Sequence, residues 1–543
     1  MSWPTAATSS KGPALPLPSH FRSFVFSRCS MISSNSRSFD RRTFLGGMAA
    51  ASGMLPFSNW IALAGASTVR ERPEASTARG QQMLAVYRKA VGLMNDKAVF
   101  PQHHPHSWRF QANIHNYPSD EPVSAVFTAA AGENAQLVAE RRKLALGPDG
   151  NGSGGIWATC PHHLPDVQFL PWHRLYLAYF EQIIEKVAGA PFALPYWDYL
   201  DPNKRHMPDM FRDATIGGQT NWLYYKDRSS RFVSDGLSEN SIVTLQSTPR
   251  ANLMKTPNFF TNVRRAGFSD ALEEDLHDQI HGAIGTKIGN KVVGMATIRL
   301  AARDPIFWLH HASIDRLWES WRKPGPDGKS PRDPNAANSW YASKYAFIDG
   351  AAAAQRDKGA AFVLVAAANL KYRYDNLHPA PDIVVAAGAD TPSGPPTRIQ
   401  SGETTGQKIT NEGDSVSIPL KPAVNEGVAL GFSNNPASRY SLLIKLRTAP
   451  EPGVYQVYMD VPGTAGGPVT QALVGSFSLF RVGAHSEHGE AHGPTDETVV
   501  IDVTAKVNEK VIDPLKPGKV TVRASYLDAP VDITVNAAEI VAK

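Results

Sequence analysis

His277 and His281 stand four residues apart in "FSDALEEDLHDQIHGAIG" (268–285). On a helix that spacing puts both imidazoles on one face, one turn apart, where they can clamp a metal ion. The pair is not the HExxH of zinc proteases, because Asp278 occupies the position of the catalytic glutamate. A second source of imidazole is "DPIFWLHHASIDRLW" (304–318), with His310 and His311 adjacent and Asp315 one turn beyond His311. A third is "LPWHR", with His173 near the start of a helix and His162 and His163 just before it. Histidines on three helices, set among Trp and Phe, point to a metal site at the centre of a helical bundle. The donors are nearly all imidazole, with no acidic cluster. That suits Zn, Cu, Fe or Ni and disfavours Mg or Ca. Zinc hydrolases commonly add a carboxylate and use three or four ligands in all. Six or more histidines fit two metals with three each, which favours paired copper and oxygen chemistry over hydrolysis.

The elements that must hold these side chains are legible from periodicity. Met83, Leu84, Tyr87, Val91 and Met94 share one side of a helix over 81–97. Leu175, Tyr179, Ile183 and Val187 do the same over 170–189, with Pro171 in the first turn. Residues 268–285 read as a helix capped by Ser269 or Asp270, and the helix from 304 as capped by Asp304 with Pro305 in its first position. Composition changes near residue 376. "HPAPDIVVAAGADTPSGPPTRIQSGETTG" reads as a linker. Beyond about 407, alternating stretches such as "YSLLIKL", "VYQVYMDV", "SFSLFRV" and "VDITV" recur between turn residues, the pattern of an all-β sandwich. The expected architecture is a mainly α catalytic domain over 75–375, built as a central four-helix bundle, then a linker over 376–406 and a sandwich-like β-domain over 407–543.

The chain has 543 residues, 42% hydrophobic and 19% charged, with a net charge of +5. Its scattered basic residues give no argument for nucleic acid, and the body of the chain has no apolar run of membrane-spanning length. Residues 1–66 read as a leader plus an export signal: Arg41-Arg42, a mildly apolar stretch, then small residues at Ala62–Ala66. Met31 is an alternative start. This twin-arginine pattern implies a periplasmic or secreted protein. Cleavage near Ala66 would remove Cys29 and leave Cys160 as a lone thiol in an oxidising compartment. "QHHPH" (102–106) reads as a solvated loop, and "AHSEHGEAHG" (484–493) also takes a bland reading, with transient copper collection as its minor alternative.

These residues resemble the tyrosinase and polyphenol oxidase family of paired-copper proteins. "FLPWHRLYLAYFE" (169–181) looks like its first-copper signature and "DPIFWLHHASIDRLW" like its second. "WRFQANIH" (108–115) resembles the segment carrying the earliest ligand, and "YRYD" (372–375) the Tyr-x-Tyr motif that closes the catalytic domain. The tail resembles the C-terminal domain of plant-type members. The resemblance implies two copper ions, the first held by His115, His162 or His163, and His173, the second by His277, His281 and His311. His310 is then a neighbour of a ligand, and Asp315 orients a ligand or an arginine. The family's middle first-copper histidine usually lies nine residues before the PWH histidine. Here that position is Leu164, with His163 ten before and His162 eleven before. Many members link a Cys-x-His cysteine to the ligand by a thioether, and Cys160-Pro161-His162 fits that spacing.

The implied activity is oxidation of o-diphenols to o-quinones with O₂, monophenol hydroxylation being a further activity that Asp278 leaves open. An oxygen carrier of the hemocyanin type is the alternative. Glu273 matches a family glutamate that holds a water for phenol deprotonation, its bland alternative being a solvated helix acid. In "MATIRLAARDP" (295–305), Ile298 stands where several catechol oxidases have a Phe over one copper, and Arg299 is a cation able to pair with acidic phenols. The β-domain is expected to shield the pocket. The oligomeric state is not legible.

Overall fold

The structure is a computed structural model. It describes residues 69–543 except 118–120, 151–153, 162–167, 238–252, 261–266, 335–338, 381, 383–395, 425, 434–437, 462–469, 481 and 483–493. The leader, the twin-arginine segment, His162, His163 and the 484–493 tract therefore lie outside the described residues. So do residues 381 and 383–395 of the 376–406 linker stretch.

The helical part is organised by Ala78–Asn95, Trp108–His115, Phe169–Ala188, the composite helix from Phe268 to Ile284, and Ile306–Arg322. Thr77 caps the first by accepting from the Gly80 amide, and Ser107 caps the second by accepting from that of Phe110. Phe169–Ala188 is buried on nearly every face and ends at Gly189, whose φ of 64° supplies the left-handed turn a side chain would resist. It packs between Ala78–Asn95 and Ile306–Arg322. The strands Arg70–Arg72 and Tyr372–Tyr374 pair in parallel and tie the two ends of this part together. Ordered structure thus begins before residue 75.

A buried charge network sits behind that closure. Asp315 accepts from Arg174 Nε at 2.5 Å, Arg72 at 3.1 Å, and the hydroxyls of Tyr372 and Tyr374 at 2.6 Å each. Arg72 also pairs with Glu181. Burial alone would raise the Asp315 pKa, but Arg174 and Arg72 outweigh it and the net shift is downward. The expected job of Asp315 is thereby assigned to the arginines and the Tyr-x-Tyr motif.

The C-terminal part is a β-sandwich of two antiparallel sheets. One orders Ser415–Pro419, Lys519–Tyr526, Val454–Val461 and Thr470–Phe477. The other orders Lys421–Pro422, Thr397–Ile409, Ile533–Ala542, Tyr440–Thr448 and Thr495–Asp502. Alternating burial along Tyr440–Thr448 fits one face on a core. Strand Thr397–Ile409 begins inside the stretch read as linker. Ile399, Leu442, Val457, Val522 and Ile540 are among the residues of the sandwich core. Val454, Phe480 and Tyr526 belong instead to the core of the helical part.

The two parts are bonded side to side. Lys287 Nζ donates to both Glu451 oxygens at 2.8 Å, and the Asp528 carboxylate accepts from Ser230 N and Oγ, Arg231 N and Thr286 Oγ1. Gly453 N donates to the Gly282 carbonyl at 2.9 Å. A Cβ on Gly282 would come within 2.5 Å of Gly453 O and Ser478 Oγ, so glycine is what permits this approach.

Three expectations are corrected. His103 and His106 of "QHHPH" are buried. His103 lies against Glu133 and Arg141, and His106 reaches the Asp349 carbonyl. Tertiary packing thus encloses a turn that reads as solvated. The helix from 268 is capped by neither Ser269 nor Asp270. Gly267 precedes it without a side-chain cap, and Ser269 is inside its first turn. That helix is also not uniform: Leu272–His277 is a π-helical turn, a feature common at functional sites. Asp304 does cap its helix, accepting from Ile306 N at 3.0 Å while paired with Arg228.

Candidate metal centre

Two groups of donors face each other across the helical core. In the first, ligand atoms of His115, Cys160 and His173 all lie within 4.8 Å of one another; in the second, those of His277, His281, His310 and His311 do. The π-turn ends at His277, and the α-turn after it carries His281, with ring centroids 4.4 Å apart. The groups touch. His311 stacks on His173 with centroids 4.2 Å apart and planes 10° from parallel, and His115 lies 5.6 Å from His173.

Among the described residues each imidazole is set by a partner for one of its nitrogens, with His311 the exception. Nδ1 of His115 donates to the Ile298 carbonyl at 3.1 Å, that of His173 to Phe169 O at 2.8 Å, and that of His281 to Met295 O at 2.8 Å. His277 donates to the Asp278 carboxylate at 2.9 Å. With Nδ1 so engaged, the neutral tautomer leaves Nε2 as a lone pair for a metal. Burial lowers the pKa of His115 to about 3 and drives those of His173, His281, His310 and His311 well below the usual histidine range. Neutral, pre-oriented imidazoles in a dry core are the donor set copper or zinc requires. The Asp278 carboxylate is bonded to a ring of the second group, and it faces Nδ1, so it orients a ligand.

Cys160 Sγ lies 3.5 Å from His173 Nε2. Burial first, and then the charge of Glu273, raise its thiol pKa. Glu273 is buried, not the solvated helix acid that its sequence position allows. Ile298 is buried, and its carbonyl positions His115, a role its sequence does not announce. Arg299 is half-buried. His310, by the resemblance a neighbour of a ligand, has its ring within the second group. Phe307 packs over His311 and His115, at 4.2 and 4.9 Å.

Sequence reasoning missed Phe480. It comes from the β-domain and lies flat on His281, centroids 4.1 Å apart and planes at 20°, with its edge toward His277 at 5.7 Å. Only 2% of it is exposed. The stretch "SFSLFRV" gives no sign that Phe480 leaves the sheet, whose strand ends at Phe477.

The family described as the common central domain of tyrosinase matches residues 105–257 and 219–324. A tyrosinase of Hahella sp. (strain CCB-MM4) is 28% identical over 289 residues, 49% of this chain and 55% of the relative. The latent form of a polyphenol oxidase of Prunus armeniaca is 29% identical over 211 residues, 33% of each chain. Hemocyanin 1 of Megathura crenulata is 31% identical over 203 residues, 34% of this chain and 5% of the relative. The chain thus spans about half the length, or less, of these curated relatives. The solved structure of latent apple tyrosinase is similar in fold, with a TM-score of 0.51 at 20% identity over 88% of this chain and 97% of that one. Among the described residues no helix is long and apolar enough to cross a membrane.

Proposed function

We propose, from the match of residues 105–257 and 219–324 to the common central domain of tyrosinase and the similarity to tyrosinase and polyphenol oxidase relatives, that the chain is a copper-dependent oxidase converting o-diphenols to o-quinones with O₂. The observation that carries the proposal is the pair of facing imidazole groups. His115, His173 and one of His162 and His163 would hold the first copper, and His277, His281 and His311 the second. Bound copper supplies O₂ binding and electron transfer from the phenol. The chain supplies neutral imidazoles fixed by backbone carbonyls and Asp278, and a core that excludes water. Glu273 is the nearby acid for taking a phenolic proton: a phenol has a pKa near 10, so a base or the metal must assist. Catechol added to the copper-loaded chain tests the proposal; quinone colour supports it, and two coppers without turnover would defeat it. Phe480 over His281 is the one observation favouring an oxygen carrier, and that outcome is what a carrier would give. The twin-arginine segment supports export, which cleavage mapping of the secreted protein would test.

The second proposal concerns substrate choice. Ile298 lacks the ring that a Phe would place at the pocket, leaving room for a phenol, and Arg299 biases it toward acidic ones. Loss of a charge-assisted contact costs roughly 1.5–3 kcal/mol. Arg299→Ala is therefore expected to lower kcat/KM for p-hydroxybenzoate-like acids by about 10- to 150-fold and to spare uncharged phenols. Equal loss on both discards the idea. Ile298→Phe is expected to depress monophenol turnover selectively, and an unchanged rate removes the position from the gate.

The third concerns Cys160. A thioether to His162 would replace S–H and ring C–H by an S–C bond, the two hydrogens' electrons passing to O₂ at copper. Its sulfur already stands among the first group's donors. Peptide mass mapping of 157–174 is expected to show a loss of two hydrogens and no free thiol. A freely alkylatable Cys160 in active enzyme refutes the link.

A further inference from the structure

The second group holds one imidazole more than a three-histidine copper site uses. His277, His281, His310 and His311 present ring nitrogens that all lie within 4.8 Å of one another. His310 is held as a ligand is held. Its Nδ1 is 3.1 Å from the Tyr199 hydroxyl, and both side chains are fully buried. The hydroxyl can either accept from or donate to Nδ1; in the tautomer in which Nδ1–H donates to it, Nε2 carries the lone pair, and Nε2 is a buried atom with no hydrogen-bond partner among the described residues. The ring lies 5.3 Å from that of His277 at 17°, 5.0 Å from His281 and 5.2 Å from His311.

His311 shows the converse. Neither of its nitrogens has a partner among the described residues, and its ring is stacked on His173 of the other group. The residue that the signature marks as ligand lacks the outer partner that usually fixes a metal-binding imidazole, while its neighbour has one. Consecutive residues on a helix point about 100° apart. The pair therefore spans the second group from its Tyr199 side to the seam with the first.

We propose that His310 is a reserve ligand of the second copper, able to complete a three-imidazole site with His277 and His281 in place of His311. This rests on the dicopper reading above. It would give copper a three-imidazole site that does not depend on His311, whose ring is stacked on His173.

The test is copper content, read without substrate: the folded chain is loaded anaerobically with copper(I), stripped of excess by a chelator and analysed. The unsubstituted chain and His310→Ala are expected to hold two coppers. His311→Ala is also expected to hold two, and the double replacement His310→Ala/His311→Ala only one. One copper on His311→Ala, or two on the double replacement, overturns the inference. Should the double replacement not fold, Tyr199→Phe in the His311→Ala background takes its place. Removing the partner of Nδ1 is expected to make the second copper at least about tenfold easier to chelate, and unchanged resistance overturns the inference. Fewer than two coppers on the unsubstituted chain defeats the dicopper reading itself, whereas two there and one on His311→Ala defeats only the reserve ligand.

Discussion

His173→Ala is expected to reduce the copper content from two ions per chain to one and to lower catechol oxidation by more than about 100-fold. Loss of an outer partner of a ligand typically costs 10- to 100-fold in affinity or activity, and loss of the ligand itself exceeds that. The ring is placed for this effect. Its Nδ1 is committed to Phe169 O, its Nε2 faces Cys160 Sγ, and it touches both His115 and His311. Among the described residues the first group has no counterpart of His310. His104→Ala, in a turn away from both groups, is expected to keep two coppers and full activity. Metal analysis beside a catechol assay checks the pair. Two coppers and undiminished turnover on His173→Ala would remove His173 from the centre.

The histidines were legible because helix geometry is local. A spacing of four fixes a face, and surrounding Trp and Phe fix burial, so His277 and His281 could be placed together before any tertiary contact was known, whereas His311 was set apart from His310 only by the family resemblance. What failed depends on residues far away in sequence. His103 is buried because Glu133 and Arg141 close over it, and nothing in "QHHPH" encodes that lid. Whether Glu273 is a solvated helix acid or an acid turned into the core is open in the sequence, and the packing around it shows it buried. The π-turn at Leu272–His277 has no local signature in "LEEDLH". Tyr199, whose hydroxyl lies beside Nδ1 of His310, is 111 positions from it. In the β-domain, alternation gave strands and hence a sandwich, but alternation carries no information on which residue would leave the sheet.

Phe480→Ala is expected to raise activity on bulky diphenols by about 10- to 150-fold. Fully burying a Phe side chain is worth about 1.5–3 kcal/mol. If that energy holds the ring on His281, the accessible state is a minor one, and removing the ring raises its share by the corresponding factor. Opening the interface from outside should act in the same direction. Asp528→Ala strips four hydrogen bonds from the contact at Ser230, Arg231 and Thr286, and is expected to activate to a lesser degree. Acid is a weaker lever. Burial raises the Asp528 pKa, but the hydrogen bonds outweigh it and the net shift is downward. A carboxylate so depressed stabilises docking at every pH above its free value, near 3.9, and that support is lost only as pH falls through the lower docked value. Glu451 is shifted upward by burial despite Lys287, so its charge opposes docking above its raised pKa and acidification relieves that cost. Between pH 7 and 5, then, neither group releases the domain, and activation in that range should be small beside that of Phe480→Ala. Rates on a small catechol and a bulky diphenol, at pH 7 and 5, separate the cases. Equal rates for Phe480→Ala and the unsubstituted chain on both substrates would show that Phe480 supports the core without closing the site.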